Sequence, residues 1–305
     1  MEIKIIDKKV VSSDKIHQLS GKVYLPDTTP KAFLHIVHGM TEHIARYDTF
    51  MRDMAKEGYI VFGYDNLGHG HTANNASELG FIAHKDGWDL LARDVKAFSD
   101  EIRDEYGKTL PYYLLGHSMG SFIVRVASEK HLTPDKLVLM GTGGPNPASG
   151  AGILLSRMIR FFKGEKHISK FIDKMAFGAY NKTFDTSSSY AWLTKDSSII
   201  QKYSNDPFCT FKFTVSAMQD LITLNKESNR NAWFSAIAHK MPILIVSGTD
   251  DPVGDHGKGV KTVYSKLKSN GADVELKLYE NCRHEILNDT CKAEVIKDIK
   301  EFLKK

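Results

Sequence analysis

The sequence predicts an α/β protein: a mostly parallel central sheet with helices on both faces and an inserted helical cap. Three observations lead there. Short, nearly continuous apolar runs such as Ala32-Phe33-Leu34-His35-Ile36-Val37 alternate with segments of helical apolar spacing, the rhythm of strands covered on both faces and joined by crossover helices. The alternation stops after Met140 and resumes at Pro242. The chain has 305 residues, enough to bury about three quarters of its unfolded surface without disulfide or metal staples.

The elements follow in order. Residues 1–25 alternate weakly and end at Pro26-Asp27, which predicts one or two antiparallel strands before the turn. Ala32–Val37 is a strand, and Tyr47, Phe50, Met51 and Met54 then fall at helical spacing until Gly58 supplies a stop. Tyr59–Tyr64 is a strand, Leu91, Val95, Phe98 and Ile102 mark a longer helix, and Pro111–Leu115 is a third strand of the rhythm. Phe122–Ala127 sits in a helix and Lys136–Met140 is a strand. After the interruption come a strand at Pro242–Val246, a helix from about His256 to Lys268 and a strand at Val274–Tyr279. Val295, Ile296, Ile299, Phe302 and Leu303 form the apolar stripe of a last helix. The interruption is too long for a loop. The expected organisation is a core in two parts, residues 1–141 and 236–305, with a helical cap inserted over residues 142–235.

Composition narrows the function classes. Lys plus Arg is 41 and Asp plus Glu is 37, a net charge of +4. That is too slight to argue for nucleic acid, which asks for a clustered basic face. Three cysteines, with no CxxC pair, exclude a disulfide framework and a cysteine-rich zinc module. The start Met-Glu-Ile-Lys-Ile-Ile-Asp-Lys lacks the pattern of a signal peptide, and the longest apolar runs are about five residues, far short of the ~18 needed to span a bilayer. The expectation is a soluble cytoplasmic protein.

One motif carries chemistry. Between the strand Pro111–Leu115 and its helix stands Gly116-His117-Ser118-Met119-Gly120, a G-x-S-x-G at a strand-to-helix turn. The turn is sharp and the serine sits strained at its apex, so the positions two residues either side want no Cβ. In return Oγ is exposed at a helix N-terminus, where partial positive charge favours a developing oxyanion. A serine hydroxyl needs a base, and the base an orienting acid. The chain order serine, acid, histidine selects Asp251, in Ser247-Gly248-Thr249-Asp250-Asp251-Pro252, and His284, in Asn281-Cys282-Arg283-His284-Glu285. Both follow C-terminal strand ends, the edge at which open α/β sheets place their sites. Asp251 is preferred to Asp250 because it lies three residues past Gly248 and directly before Pro252, which suits a carboxylate at a bend tip. The oxyanion hole is expected from the backbone N–H of Met119 and from that of Met40 in His38-Gly39-Met40-Thr41-Glu42-His43.

Other readings are weaker. His38, Glu42 and His43 invite a metal reading, since His38 and Glu42 are spaced i, i+4, but H-E-x-x-H is absent and Gly39 argues against a helix, so no metal site is expected there. Gly68-His69-Gly70 lacks the third glycine of a dinucleotide loop, and there is no Walker loop. No metal or organic cofactor is expected. Cys282 reads as a structural buried thiol.

These motifs together resemble the α/β-hydrolase superfamily, and within it the monoacylglycerol lipase and lysophospholipase-like serine hydrolases. His38-Gly39-Met40-Thr41-Glu42-His43-Ile44-Ala45-Arg46-Tyr47 is similar to that group's H-G-x-x-E-H-x-x-R-Y, and Gly116–Gly120 to its G-H-S-M-G. Asp65-Asn66-Leu67-Gly68-His69-Gly70-His71-Thr72 is similar to its D-x-R-G-H-G-x-S, with Leu67 for the usual Arg and Thr72 for the usual Ser. The resemblance covers roughly residues 20–140 and 240–305, and within the insert Trp192-Leu193-Thr194-Lys195-Asp196 and Asp206-Pro207-Phe208-Cys209-Thr210-Phe211 are similar to segments of bacterial members. It implies an ester hydrolase acting on small acyl esters. A thioesterase or amidase would use the same three side chains. A dehalogenase would want Asp at position 118, and a non-catalytic binding module usually shows a broken set.

In the cap segment Leu154, Leu155, Met158, Ile159 and Phe162 share one helical face, and Arg157, Arg160 and Lys163 the other. This favours a cap helix packed on its neighbours; the alternative is a lid helix that opens an apolar channel or touches a membrane surface.

Overall fold

The computed structural model describes residues 3–184 and 188–305. Met1 and Glu2 of the predicted N-terminal strand segment, and residues 185–187 of the predicted insert, lie outside the described residues. An antiparallel hairpin, β1 (Lys4–Val11) and β2 (Gln18–Leu25), precedes the alternating core: β3 (Ala32–Val37), α1 (Asp48–Lys56), β4 (Tyr59–Tyr64), α2 (Gly87–Tyr106), β5 (Tyr112–His117), α3 (Met119–Lys130) and β6 (Lys136–Met140). Five helices follow, α4 (Ser149–Lys163), α5 (Lys170–Phe177), α6 (Ser197–Asn205), α7 (Val215–Ser228) and α8 (Asn231–Ile237). The core then resumes with β7 (Ile243–Gly248), α9 (Lys258–Ser269), β8 (Val274–Tyr279) and α10 (Lys292–Lys304).

The eight strands form one sheet in the order β1-β2-β4-β3-β5-β6-β7-β8. β2 pairs antiparallel with β1 and β4, and all strands from β3 onward pair in parallel. Every residue of β3, β4 and β7 is buried, as continuous apolar runs require when helices cover both faces. One face buries α2, α3, α7, α8 and α9 around Phe98, Ile123, Met218, Trp233 and Val263. The other buries α1 and α10 around Phe50, Met54, Val295 and Phe302. α1 stops where Gly58 takes a positive φ of 92°, a conformation that costs glycine nothing.

Two features of this topology position a site. The chain leaves β3 toward β4 on one side and later returns to β5 on the other, so the ends of β3 and β5 diverge at a switch point, where crevices form in open α/β sheets. The helices α4 to α8 all lie between β6 and β7 in sequence, and their chain passes over that same edge. They do not form a separate layer throughout: Met218 and Leu224 of α7, and Trp233, Phe234 and Ile237 of α8, are part of the main core.

The apolar face read for residues 154–162 is divided in three dimensions. Leu155 and Ile159 pack on the core, whereas Leu154, Met158 and Phe162 are exposed, together with Phe161. Small residues explain the division. Gly152 comes close to Ile222 of α7 and Ser156 is fully buried, so α4 sits on α7 by its small face and turns much of its large apolar face outward. Among the described residues no helix is long and apolar enough to cross a membrane.

Candidate active site

Ser118 stands between β5 and α3 with φ 54° and ψ −121°, a strained region for a residue with a Cβ. Its neighbours make the turn possible. A Cβ on Gly116 would lie 2.4 Å from the Gly120 carbonyl oxygen, and one on Gly120 would lie 2.1 Å from that of Val37. Both glycines are therefore demanded by close backbone approach. The Ser118 N–H donates to the Met140 oxygen at 2.9 Å, and the Ser118 oxygen accepts from the Ser121 N–H at 2.9 Å and from Ser121 Oγ at 2.6 Å. These bonds tie the strained residue to β6 and to the first turn of α3.

His284 and Asp251 are brought together from the ends of β8 and β7. His284 Nδ1 lies 2.9 Å from Asp251 Oδ2, with the histidine 2% exposed and the aspartate 0%. The Val253 N–H donates to Asp251 Oδ1 at 2.9 Å and Ser247 Oγ to Oδ2 at 3.4 Å. Asp250 goes elsewhere, half-exposed with Lys195 Nζ at 4.0 Å. The connection between β6 and β7 reaches the histidine: the Trp192 ring is 5.1 Å from the His284 ring, and the Trp192 oxygen accepts from the His284 N–H at 3.4 Å. Trp192 stands in a segment with no periodicity or spacing that points to a place beside His284.

The loop after β3 approaches Ser118 closely. A Cβ on Gly39 would lie 2.9 Å from Ser118 Cβ, so only glycine fits there. The Gly39 N–H donates to Glu42 Oε1 at 2.5 Å, and the same oxygen takes the Tyr47 hydroxyl at 3.0 Å and faces His117 Nδ1 at 3.0 Å. Arg46 joins from the other side, with Nη1 3.1 Å from Glu42 Oε2 and both guanidinium nitrogens 2.6 Å from Glu285. Burial alone would push Glu42 up and His117 down. Their mutual hydrogen bond and charge outweigh it, holding the Glu42 carboxyl well below and the His117 imidazole above its ordinary value. This buried network, flanking both Ser118 and His284, lies in the motif residues Glu42, Arg46, Tyr47 and His117, which sequence analysis treated only as a family pattern.

His38 is scaffolding. Its Nδ1 meets the Gly39 oxygen at 2.8 Å, and its Nε2 accepts from the Asn66 N–H at 2.9 Å. Burial, with His69 nearby, pushes its pKa down to about 3, so it is a neutral acceptor. At the two departures from the family pattern, Leu67 is fully buried and Thr72 Oγ1 donates to the Asp65 oxygen at 2.5 Å while accepting from the Ser20 N–H at 2.9 Å. Cys282 is buried with Sγ 3.7 Å from Thr290 Oγ1.

Met40, Ser118, Met119 and His284 open on one cavity of about 740 Å³, whose other walls include Phe177, Tyr180, Trp192, Leu193 and Tyr203 from the cap segment and Phe122 and Val253 from the core. Met119 is the first residue of α3, where backbone N–H groups have no partner within the helix.

A strained serine at the switch point of a mostly parallel sheet, beside a buried histidine–aspartate pair, defines the α/β-hydrolase class. The similarities to known proteins agree. Residues 28–291 match the family described as serine aminopeptidase, S33, and the chain belongs to that family. It is an enzyme of the hydrolase type. A monoacylglycerol lipase of Mycolicibacterium smegmatis is 26% identical over 293 residues, covering 92% of this chain and 91% of that one. A monoglyceride lipase of Mus musculus is 25% identical over 268 residues, 86% of this chain and 78% of the other. The crystal structure of a highly thermostable carboxyl esterase from Bacillus coagulans, solved in complex with glycerol, superposes with a TM-score of 0.93 at 25% identity over 99% of both chains.

Proposed function

We propose that the chain is a serine carboxylic-ester hydrolase acting on monoacylglycerol or lysophospholipid-type esters through an acyl-enzyme. Ser118 Oγ attacks the ester carbonyl carbon and His284 Nε2 takes its proton. Asp251, bonded to Nδ1, fixes the tautomer and stabilises the imidazolium. The Met40 and Met119 N–H groups hold the oxyanion. The imidazolium then protonates the departing alcohol, and water, activated by the same histidine, releases the acid. The single observation that carries this reading is the 2.9 Å pair of His284 and Asp251 opening on the cavity that also holds Ser118.

The volume of that cavity, about 740 Å³, falls within the range of roughly 300–1,000 Å³ usual for small-molecule sites, and its aromatic and aliphatic wall suits an acyl chain. The names of the similar proteins, monoacylglycerol lipase, monoglyceride lipase and carboxyl esterase, support an ester over a thioester or amide. We read residues 142–235 as the cap that roofs Ser118. Its outer surface exposes Leu154, Met158, Phe161, Phe162, Ile168, Phe171 and Met175, with Lys163, Lys166, Lys170 and Lys174 exposed beside them. This combination fits an anionic lipid surface that supplies the substrate. Three free cysteines support the cytoplasm as the place of action.

The test is turnover of monoacylglycerols, lysophospholipids, acyl-CoA thioesters and acyl amides by the chain and its Ser118→Ala variant. Hydrolysis of one of the acyl glycerol classes is expected to dominate and to vanish in the variant, together with labelling by a fluorophosphonate. Full activity in Ser118→Ala removes the mechanism. Preference for thioesters or amides moves the substrate class and leaves the mechanism standing.

A further inference from the structure

We propose that His43, Asp206 and Cys209 form a binding site for a zinc-type divalent cation, clasping the cap segment to the loop that carries Met40. Sequence spacing gives no hint of it, because Asp206 is 163 residues from His43. The fold brings the three side chains together so that one imidazole nitrogen, one carboxylate oxygen and the thiol sulfur all lie within 4.8 Å of one another. His43 Nε2 and Asp206 Oδ2 are already 2.9 Å apart.

The donor set is one that zinc takes: nitrogen, oxygen and sulfur in a mixed borderline-soft group. With metal–ligand distances of about 2.0–2.3 Å, tetrahedral donors stand roughly 3.3–3.7 Å apart, so small side-chain movements would convert the present spacing into coordination. The backbone holds the ligands in place. The Asp206 oxygen accepts from the Cys209 N–H at 2.9 Å and from Thr210 Oγ1 at 3.1 Å, and Asp206 Oδ1 accepts from the Phe208 N–H at 2.8 Å. The Phe208 ring stands edge-on to His43 at 5.9 Å. Cys209 is 1% exposed, whereas His43 and Asp206 are half-buried with side chains 15% and 29% exposed, leaving a solvent side for a fourth ligand such as water.

Coordination deprotonates a thiol, so the site would release the Cys209 proton to solvent as it loads. The charge of Arg46 is balanced by Glu42 and Glu285. Once loaded, the site would tie Asp206 and Cys209 to a loop whose Met40 and Thr41 line the cavity with Cys209. This proposal does not depend on the ester reading.

The experiment uses the full-length chain, reduced and stripped with a chelator, and titrated with Co²⁺ as a spectroscopic stand-in for Zn²⁺. Saturable uptake of one Co²⁺ per chain is expected, with a thiolate-to-cobalt charge-transfer band that Zn²⁺ displaces. Zn²⁺ should also raise the melting temperature by linkage. Cys209→Ser and His43→Gln should each weaken binding by more than about 100-fold, since even an outer-shell partner is worth about 10–100-fold. Cys282→Ser should leave the band unchanged. His43→Gln, at a half-exposed position, keeps the test decisive if the buried Cys209→Ser fails to fold. Absence of the band, or its survival in either ligand variant, overturns the proposal and leaves the cluster a hydrogen-bonded clasp.

Discussion

Asp250 and Asp251 are neighbours in the chain but occupy opposite environments. Asp251 is enclosed, bonded to His284 Nδ1 and fed by the Val253 N–H, whereas Asp250 faces solvent near Lys195. A carboxylate buried against an imidazole fixes its tautomer, and an exposed ion pair near 4 Å is worth about 0–1 kcal/mol. Asp251→Asn is therefore expected to lower kcat by about 10⁴-fold with the fold intact by circular dichroism, and Asp250→Asn to stay within about twofold of the parent; equal losses in steady-state assays would contradict the assignment. The sequence preferred Asp251 for its place before Pro252, and the fold sets Asp251 rather than Asp250 against His284. Trp192 over His284 was not legible in the sequence, because a lone tryptophan in an irregular segment carries no periodicity and no turn chemistry to mark it.

At the scale of elements, strands and helices of the core follow from pattern alone. β3, β4 and β6 run as their apolar runs predict, since a buried parallel strand leaves an unbroken apolar stretch, and β8 at the sheet edge alternates apolar with charged residues. α4 shows the limit of that reasoning. Its apolar stripe is real, but only Leu155 and Ile159 of it pack on the core while Gly152 approaches Ile222 of α7, leaving Leu154, Met158 and Phe162 outside, and which face is covered depends on a partner that periodicity does not see. Packing of α7 also creates a titration. Asp220 accepts from the Trp88 N–H at 3.1 Å at the start of α2, and burial raises its pKa from 3.8 to about 7. Its acid is thus neutral in the folded chain and ionised in the unfolded chain between about pH 4 and 7. The folded state binds the extra proton, so this group's contribution to stability falls as pH rises through that window and is flat above it. Asp220→Asn keeps an acceptor and removes the ionisation. Its stability relative to the parent should rise from pH 4 to pH 7, by up to about 4 kcal/mol, then level off; urea denaturation across that range would expose a constant difference if the idea were wrong.

The whole molecule sets a cavity at a sheet edge and leaves apolar side chains exposed on the connection between β6 and β7. Phe161 and Phe162 are 83% and 75% exposed, an arrangement that water disfavours and a lipid surface accommodates. Replacing both by serine should weaken co-sedimentation with anionic vesicles by roughly 10–100-fold and leave turnover of a short water-soluble ester unchanged; unaltered vesicle binding would assign the face to another partner. What the sequence by itself determined is local: the alternation of strands and helices, and the glycines around Ser118. Each is fixed by backbone sterics or by periodicity over a few residues. Only the tertiary structure decided which distant groups meet: Trp192 over His284, Arg46 bridging Glu42 and Glu285, and His43 beside Asp206 and Cys209. The first and last depend on how the connection between β6 and β7 lies over the sheet, and the second on the segments after β3 and β8 meeting at its edge; all are settled by packing between segments far apart in the chain, for which no local pattern is required.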